Sequence, residues 1–226
     1  MGVALNANPV VKWYLMHRCP ECIPAIIELT ENIIPVKDTT KIRKAEEYVL
    51  LSVEDFTIYT TPELMSEKCN FISSWNKEYL FELVDLTGKT VLDVGAGSGR
   101  LTFAAAEKAA WVYASEPVGT LREFMRDKIK KEGIKNVRVL DGLVTELPFP
   151  DNTFDVVMSG HVVGDYWDEE IAELTRVCKS EGWLLDCPGP PDVEQNKSEK
   201  IEEDNELVKR GWEAMSQDRY RKQVFK

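Results

Sequence analysis

Apolar positions along the chain change period from segment to segment. From Thr90 onward, short apolar runs alternate with stretches whose apolar residues recur on one helical face. Thr90 to Val94 reads as a strand, followed by a glycine-rich turn and a helix through Leu101, Phe103 and Ala104 to about Lys108. Trp111 to Ser115 reads as the second strand, Val137 to Leu140 as the third and Phe154 to Met158 as the fourth. Trp183 to Asp186 reads as the fifth, reached through a helix from about Asp168 to Cys178. Between the second and third strands, Leu121, Phe124, Met125 and Ile129 share one helical face. Thr120 and Glu123 have the spacing of a capping box, and Gly133 supplies a left-handed stop. Repeated β-α-β units predict a parallel sheet covered by helices on both faces.

The two ends of the chain read differently. The first 75 or so residues are interrupted by Pro9, Pro20, Pro24, Pro35 and Pro62, which predicts an irregular, partly helical extension. A helix from about Asn76 to Leu86 leads into the sheet. Beyond Cys187-Pro188-Gly189 comes a charged stretch around Glu199 to Glu206, read as a solvated surface loop entering a helix. Trp212 to Met215 and Tyr220 to Val224 then form a closing antiparallel pair around a turn at Gln217-Asp218. The expected architecture is an α/β, Rossmann-like doubly wound sheet. It is mostly parallel with a C-terminal antiparallel strand pair, and is divided into an extension over residues 1–75, a possible lid, and a main domain over 76–226.

Composition narrows the function. A chain of 226 residues with 43% apolar and 30% charged residues suits one globular core. Thirty-nine acids against 28 bases leave a net charge of −11, and no basic stripe offsets it, so a large nucleic acid is not an expected partner. No apolar run approaches the ~20 residues of a membrane-spanning helix, so neither membrane association nor any site other than the cytoplasm is expected. Five cysteines are too few and too scattered for a disulfide framework, and reduced thiols are expected.

The turn Gly95-x-Gly97-x-Gly99 between a strand and a helix lets backbone approach a ligand closely. A plain tight connection explains it equally well when it stands alone. The dinucleotide pattern would need glycine where Arg100 stands, and Gly88-Lys89-Thr90 lacks the earlier glycine of a phosphate-binding loop, since Leu83 occupies that place. Glu116, ending the second strand, is placed to accept hydrogen bonds from both hydroxyls of a ribose, or to cap the next turn. Asp141-Gly142-Leu143, after the third strand, suits an adenine amino group and ring.

With Leu147-Pro148-Phe149-Pro150-Asp151-Asn152-Thr153-Phe154-Asp155-Val156-Val157 before strand four, the pattern becomes specific. The chain resembles the class I S-adenosylmethionine (SAM) dependent methyltransferases over about Lys89 to Asp186. The stretch Arg176-Val177-Cys178-Lys179-Ser180-Glu181-Gly182 is similar to the family's passage into strand five, departing from its Pro-Gly at Ser180 and Glu181. The resemblance implies the cofactor S-adenosyl-L-methionine and a small-molecule methyl acceptor. It implies Asp93, Gly95, Ala96 and Gly97 around the methionyl part, Glu116 at the ribose and Asp141, Gly142 and Leu143 at the adenine. Ser159 would then lie near the methyl group.

Methyl transfer needs alignment, exclusion of water and sometimes a base. His161, on the segment after strand four, is the candidate base, with packing or cofactor contact as its alternative role. Asp165 is the second candidate, or a helix cap. Tyr59, Trp75 and Tyr79 are candidate aromatic contacts from the extension. His17-Arg18-Cys19-Pro20-Glu21-Cys22 stands outside this reading: two ordinary reduced cysteines, half of a zinc site completed by His17 and Cys69, or a redox pair. Two other functions compete, a SAM-binding module without catalysis and an NAD-dependent oxidoreductase.

Overall fold

The structure is a computed structural model and describes residues 1–189, 206–215 and 219–226. It contains helices α1 (Gly2–Ala7), α2 (Pro9–Arg18), α3 (Ile23–Glu31), α4 (Thr39–Thr60), α5 (Pro62–Lys68), α6 (Asn70–Ser73), α7 (Glu78–Phe81), α8 (Arg100–Ala106), α9 (Gly119–Glu132) and α10 (Trp167–Val177). The strands are β1 (Thr90–Val94), β2 (Trp111–Ser115), β3 (Val137–Leu140), β4 (Phe154–Ser159), β5 (Cys178–Asp186), β6 (Glu213–Met215) and β7 (Arg219–Gln223). They form one seven-stranded sheet in the order β3-β2-β1-β4-β5-β7-β6. β1 to β5 are parallel, and β7 joins β5 and β6 antiparallel. This is the predicted doubly wound sheet with its closing antiparallel pair. The Gln217-Asp218 turn and most of the charged stretch from Glu199 lie outside the described residues.

By compactness the chain divides into Met1–Ile58 and Tyr59–Lys226. In the first unit the prolines begin helices instead of breaking them. Pro9 stands in the first turn of α2 and Pro24 in that of α3, where the missing N–H has no intrahelical partner to lose. Ala4, Leu5 and Ile26 are buried there, and the Asn6 amide donates to the Thr30 carbonyl at 2.9 Å. The second unit also contains α5 and α6, the last helices of the predicted extension.

Strand alternation sets the two faces of the sheet. Val91 packs with Leu101, Ala104 and Ala105 of α8, while Leu92 and Val94 pack with Ile171 and Leu174 of α10. Asp93 therefore points to the α8 side, a carboxyl in an apolar layer. Leu92, Met158, Leu174 and Leu184 are essentially inaccessible to solvent.

Three local expectations change. The predicted helix over Asn76–Leu86 shrinks to α7, Glu78–Phe81. Short polar side chains compete with it for backbone: the Asn76 carboxamide oxygen accepts from Glu78 N–H, and Asp85 accepts from Thr87 N–H at 2.9 Å. The capping box at Thr120 does not form. Val118 occupies the N-cap, and the Thr120 hydroxyl donates to the Thr60 carbonyl at 2.6 Å. Gly133 does end the helix, at φ +68°. The third change is at β5, which begins at Cys178, earlier than its apolar run suggests, with an irregular step opposite Phe154 and Val156. Within that stretch Glu181 adopts φ +64°, left-handed backbone where the family's passage carries glycine.

That strain is removable. The Glu181 side chain is exposed, and replacing a non-glycine residue in left-handed backbone relieves Cβ crowding. Glu181→Gly is expected to raise unfolding free energy by about 0.5–1 kcal/mol in urea denaturation. A loss of stability would show that the turn is held by the glutamate side chain instead.

Candidate active site

The chain leaves β1 through three left-handed glycines, Gly95 at φ +63°, Gly97 at +58° and Gly99 at +92°. Their hydrogens also make room for neighbours: a Cβ on Gly95 would stand 2.4 Å from Val162 Cγ2, and one on Gly97 would stand 2.9 Å from Met65 Cε. The turn is tied to β2, since the Gly95 and Ala96 N–H groups both donate to the Ser115 carbonyl, at 2.8 and 3.1 Å. A cleft opens here, across the carboxyl ends of β1, β2 and β4, where ligands of open α/β sheets collect. It encloses about 660 Å³, mouth included, and is lined among others by Asp93, Gly95, Ala96, Gly97, Glu116 and His161.

Glu116 is buried, with Oε2 accepting from Gly97 N–H and Oε1 from Val118 N–H, each at 2.8 Å. Burial raises its pKa above the ordinary carboxylate value, and the two backbone donors oppose that rise. Each oxygen keeps acceptor capacity for a further donor. Asp93 is wholly buried, and desolvation pushes its pKa up to about 7 against the opposing hydrogen bond from the Thr102 hydroxyl at 2.5 Å. His161 sits on the turn after β4 with φ +62°, rare for a residue with a side chain, and its ring packs against Phe71 with centroids 4.4 Å apart. Left-handed strain of this kind persists where surrounding structure enforces it, most often at functional sites.

The other predicted site residues lie outside the lining. Ser159 is buried beneath it, its hydroxyl donating to Asp186 Oδ1 at 3.1 Å. Asp141, Gly142 and Leu143 form the open turn after β3, where Leu143 is exposed and Gly142 packs so closely that a Cβ would meet Ser115 Oγ at 2.4 Å. Asp165 is exposed and makes no cap of α10, whose N-cap is Tyr166. Of the aromatic candidates Tyr59 lines the cleft, Trp75 packs on Arg100, and Tyr79 stacks against Arg219.

Sequence reasoning missed several residues that build the site. Arg122 joins its two halves: Nη1 donates to the Glu116 carbonyl at 2.7 Å and pairs with Asp141 at 3.1 Å. Its place one turn into the helix after Glu116 was the available signal. Buried Glu170 accepts from Gly164 N–H at 2.8 Å and anchors the loop that carries His161. Arg100 was read only as a missing glycine.

The cysteine pair stays apart from this chemistry. Cys19 and Cys22 are exposed, and the Glu21 carboxylate, then Cys22, pushes the Cys19 thiol up, opposite to the shift of a reactive redox thiol. His17 Nδ1 is 2.8 Å from the Trp13 carbonyl oxygen. Among the described residues no group of three or more His, Cys, Asp or Glu gathers to hold a metal.

Fold and cleft together define a doubly wound α/β domain whose cleft holds an acidic residue after its second strand. Residues 92–186 match the family described as "Methyltransferase domain". The chain is 33% identical over 114 residues to demethylmenaquinone methyltransferase of Geobacillus stearothermophilus, covering 48% of each. It is 33% identical over 116 residues to the ubiquinone/menaquinone biosynthesis C-methyltransferase UbiE of Legionella pneumophila, covering 48% of this chain and 46% of that one. It thus spans about half the length of the curated relatives it matches. A SAM-dependent methyltransferase from Aquifex aeolicus shares the fold, with a TM-score of 0.57 and 23% identity over 71% of this chain and 95% of that one. Residues 92–186 thus resemble the class I SAM-dependent methyltransferases in sequence, and the chain shares their fold.

The raised Asp93 pKa makes stability depend on pH. Between its ordinary value of 3.8 and about 7 the unfolded chain has released this proton and the folded one has kept it. Its contribution is therefore full below pH 4, lost as pH rises through about 7, and flat above. Asp93→Asn is expected to remove that fall, so that without ligand the variant gains on the parent from pH 4 to 7 when Tm is scanned. Parallel Tm profiles would rule the buried acid out.

Proposed function

We propose that the chain is a SAM-dependent methyltransferase that transfers a methyl group in line to a small-molecule acceptor. The observation that carries this reading is the single cleft in which Asp93, Gly95 to Gly97, Glu116 and His161 meet. The residues fit the cofactor. Glu116 retains acceptor capacity for ribose hydroxyls, the glycine turn leaves backbone exposed to a chain passing over it, and Asp93 supplies a carboxyl for a cationic amino group. When bound, SAM supplies an electrophilic methyl carbon on a sulfonium.

The protein's own part is placement and proton handling. Asp93, nearly half neutral around pH 7 without ligand, ionises when a cation lies against it, so binding at neutral pH releases a proton. Asp141, with Leu143 and Gly142, serves the adenine through the Arg122 bridge that also holds the Glu116 backbone. Ser159 would support the methyl-bearing end of the cofactor from below the cleft, through its bond to Asp186. His161, held by strained backbone beside Phe71, takes the acceptor's proton, while exposed Asp165 has no direct part in that transfer. The segment Tyr59 to Trp75 excludes water from the cleft as a cover. Two relatives bear the names of quinone methyltransferases, which supports a small-molecule acceptor. Among the described residues no helix is long and apolar enough to cross a membrane, which is compatible with a cytoplasmic enzyme.

Calorimetry and turnover test the reading. SAM and S-adenosylhomocysteine should bind and NAD should not; the reverse would end the proposal. SAM should bind more tightly as pH rises from 6 to 8, and Asp93→Asn should flatten that dependence. His161→Ala should lower kcat by about 10²–10⁴-fold while leaving S-adenosylhomocysteine affinity within about twofold. Undiminished turnover of an acceptor found by metabolite screening would remove His161 from the chemistry.

A further inference from the structure

Arg100 begins α8 directly after the glycine turn, yet its guanidinium reaches across to the turns that follow β4 and β5. Nη2 donates to the Cys187 carbonyl oxygen at 2.6 Å. Cζ lies 4.9 Å from the Trp75 ring centroid and 5.6 Å from that of Phe71. The group fits only because two positions lack side chains. A Cβ on Gly160 would come within 2.7 Å of Nη2, and one on Gly189 within 2.9 Å of Nη1. Two separate turns are shaped around one guanidinium.

Its charge meets two aromatic faces and the fields of two carboxylates, but no direct ion pair among the described residues. Nη1 is buried and has no hydrogen-bond partner among the described residues, and Arg100 forms no ion pair among them. Asp93 and Asp186 are near enough to act on it electrostatically, but the Asp93 carboxyl is engaged by Thr102 and Asp186 by Ser159. Burial pushes the guanidinium pKa down, yet an arginine stays charged at any ordinary pH. Burying an unpaired cation is strongly unfavourable, while a planar fork with free N–H groups matches a carboxylate. A role limited to bonding Cys187 would need neither the charge nor the second nitrogen. Arg100 lines the cleft with His161, on the side of β4 and β5, across β1 from Glu116.

We propose that Arg100 receives a carboxylate of a ligand bound in this cleft, making it the residue that selects and orients an acidic group near the methyl position. The inference deepens the methyltransferase reading and rests on it for the identity of the cleft. The carboxylate comes either from the methionyl end of the cofactor or from the methyl acceptor.

Calorimetry on the full chain and on Arg100→Gln and Arg100→Lys separates these sources. The probes are S-adenosylhomocysteine, 5′-methylthioadenosine, which lacks the amino-acid carboxylate, and benzoate, 4-hydroxybenzoate and malonate added to the S-adenosylhomocysteine complex. If the cofactor is the source, Arg100→Gln weakens S-adenosylhomocysteine by about tenfold or more and methylthioadenosine by less than about twofold, with partial recovery in Arg100→Lys. If the acceptor is the source, S-adenosylhomocysteine binds unchanged and a carboxylate that binds the parent complex fails to bind the Arg100→Gln complex. The proposal is overturned if no probe depends on Arg100, or if both nucleosides weaken equally, the mark of a purely structural arginine. Should the parent bind no S-adenosylhomocysteine, the methyltransferase reading fails by itself. The anion site then stands or falls on whether millimolar malonate raises Tm in the parent and not in Arg100→Gln.

Discussion

The rest of the site depends on one backbone turn. Between Val94 and Arg100 the chain reverses from strand to helix through glycines in left-handed backbone, and two of its N–H groups converge on a single carbonyl, that of Ser115. That convergence joins β1 to the end of β2 and so brings Glu116 to the turn, where its carboxylate accepts from Gly97 N–H. A side chain at Gly95 would strike Val162, which belongs to the loop carrying His161. The turn thereby sets the spacing between the acid after β2 and the histidine after β4. Neither end of the cleft is placed independently of it.

Around that turn the fold tolerates polar groups that a packed core ordinarily rejects. Asp93 faces the apolar α8 layer because strand alternation puts it there, and burial moves its proton affinity toward neutrality. Arg100 enters the same region with its buried Nη1 unpaired among the described residues. His161 holds left-handed backbone without being glycine. Away from the cleft the same kinds of group are fully paired. Arg176 bonds Glu173, Asp151 and the carbonyls of Leu147 and Phe149, tying the loop before β4 to α10. The contrast separates a region organised for stability from one that leaves charges open to a ligand.

Much of this could be read from residue order. Short apolar runs bounded by turns located β1 to β4, because a strand's hydrophobic signal is local and its hydrogen bonds follow from pairing with similar neighbours. The glycine turn and Glu116 located the cleft for the same reason, since each lies where a strand ends. Reading failed where a local signal had a competitor, near or distant in the chain. Thr120 looks like a cap, but Thr60, sixty residues earlier, takes its hydroxyl. Asn76 and Asp85 looked compatible with a helix until their side chains took the backbone donors. Ser159 was expected just beyond β4 but is its last residue, bonded to Asp186 at the end of β5.

The amino-acid sequence alone determined the doubly wound sheet and the turn at Gly95 to Gly99, because these depend on short-range patterns of period, turn and strand end. Tertiary structure decided which polar groups share the cleft, which are buried beneath it and which charges remain unpaired. Arg100 illustrates the difference. In sequence it is one residue after a glycine turn, and its environment exists only once Trp75, Gly160 and the turn from Cys187 to Gly189 have been brought together from three separate segments. Desolvation and charge pairing depend on all of a group's neighbours at once, and no local pattern of residues encodes them.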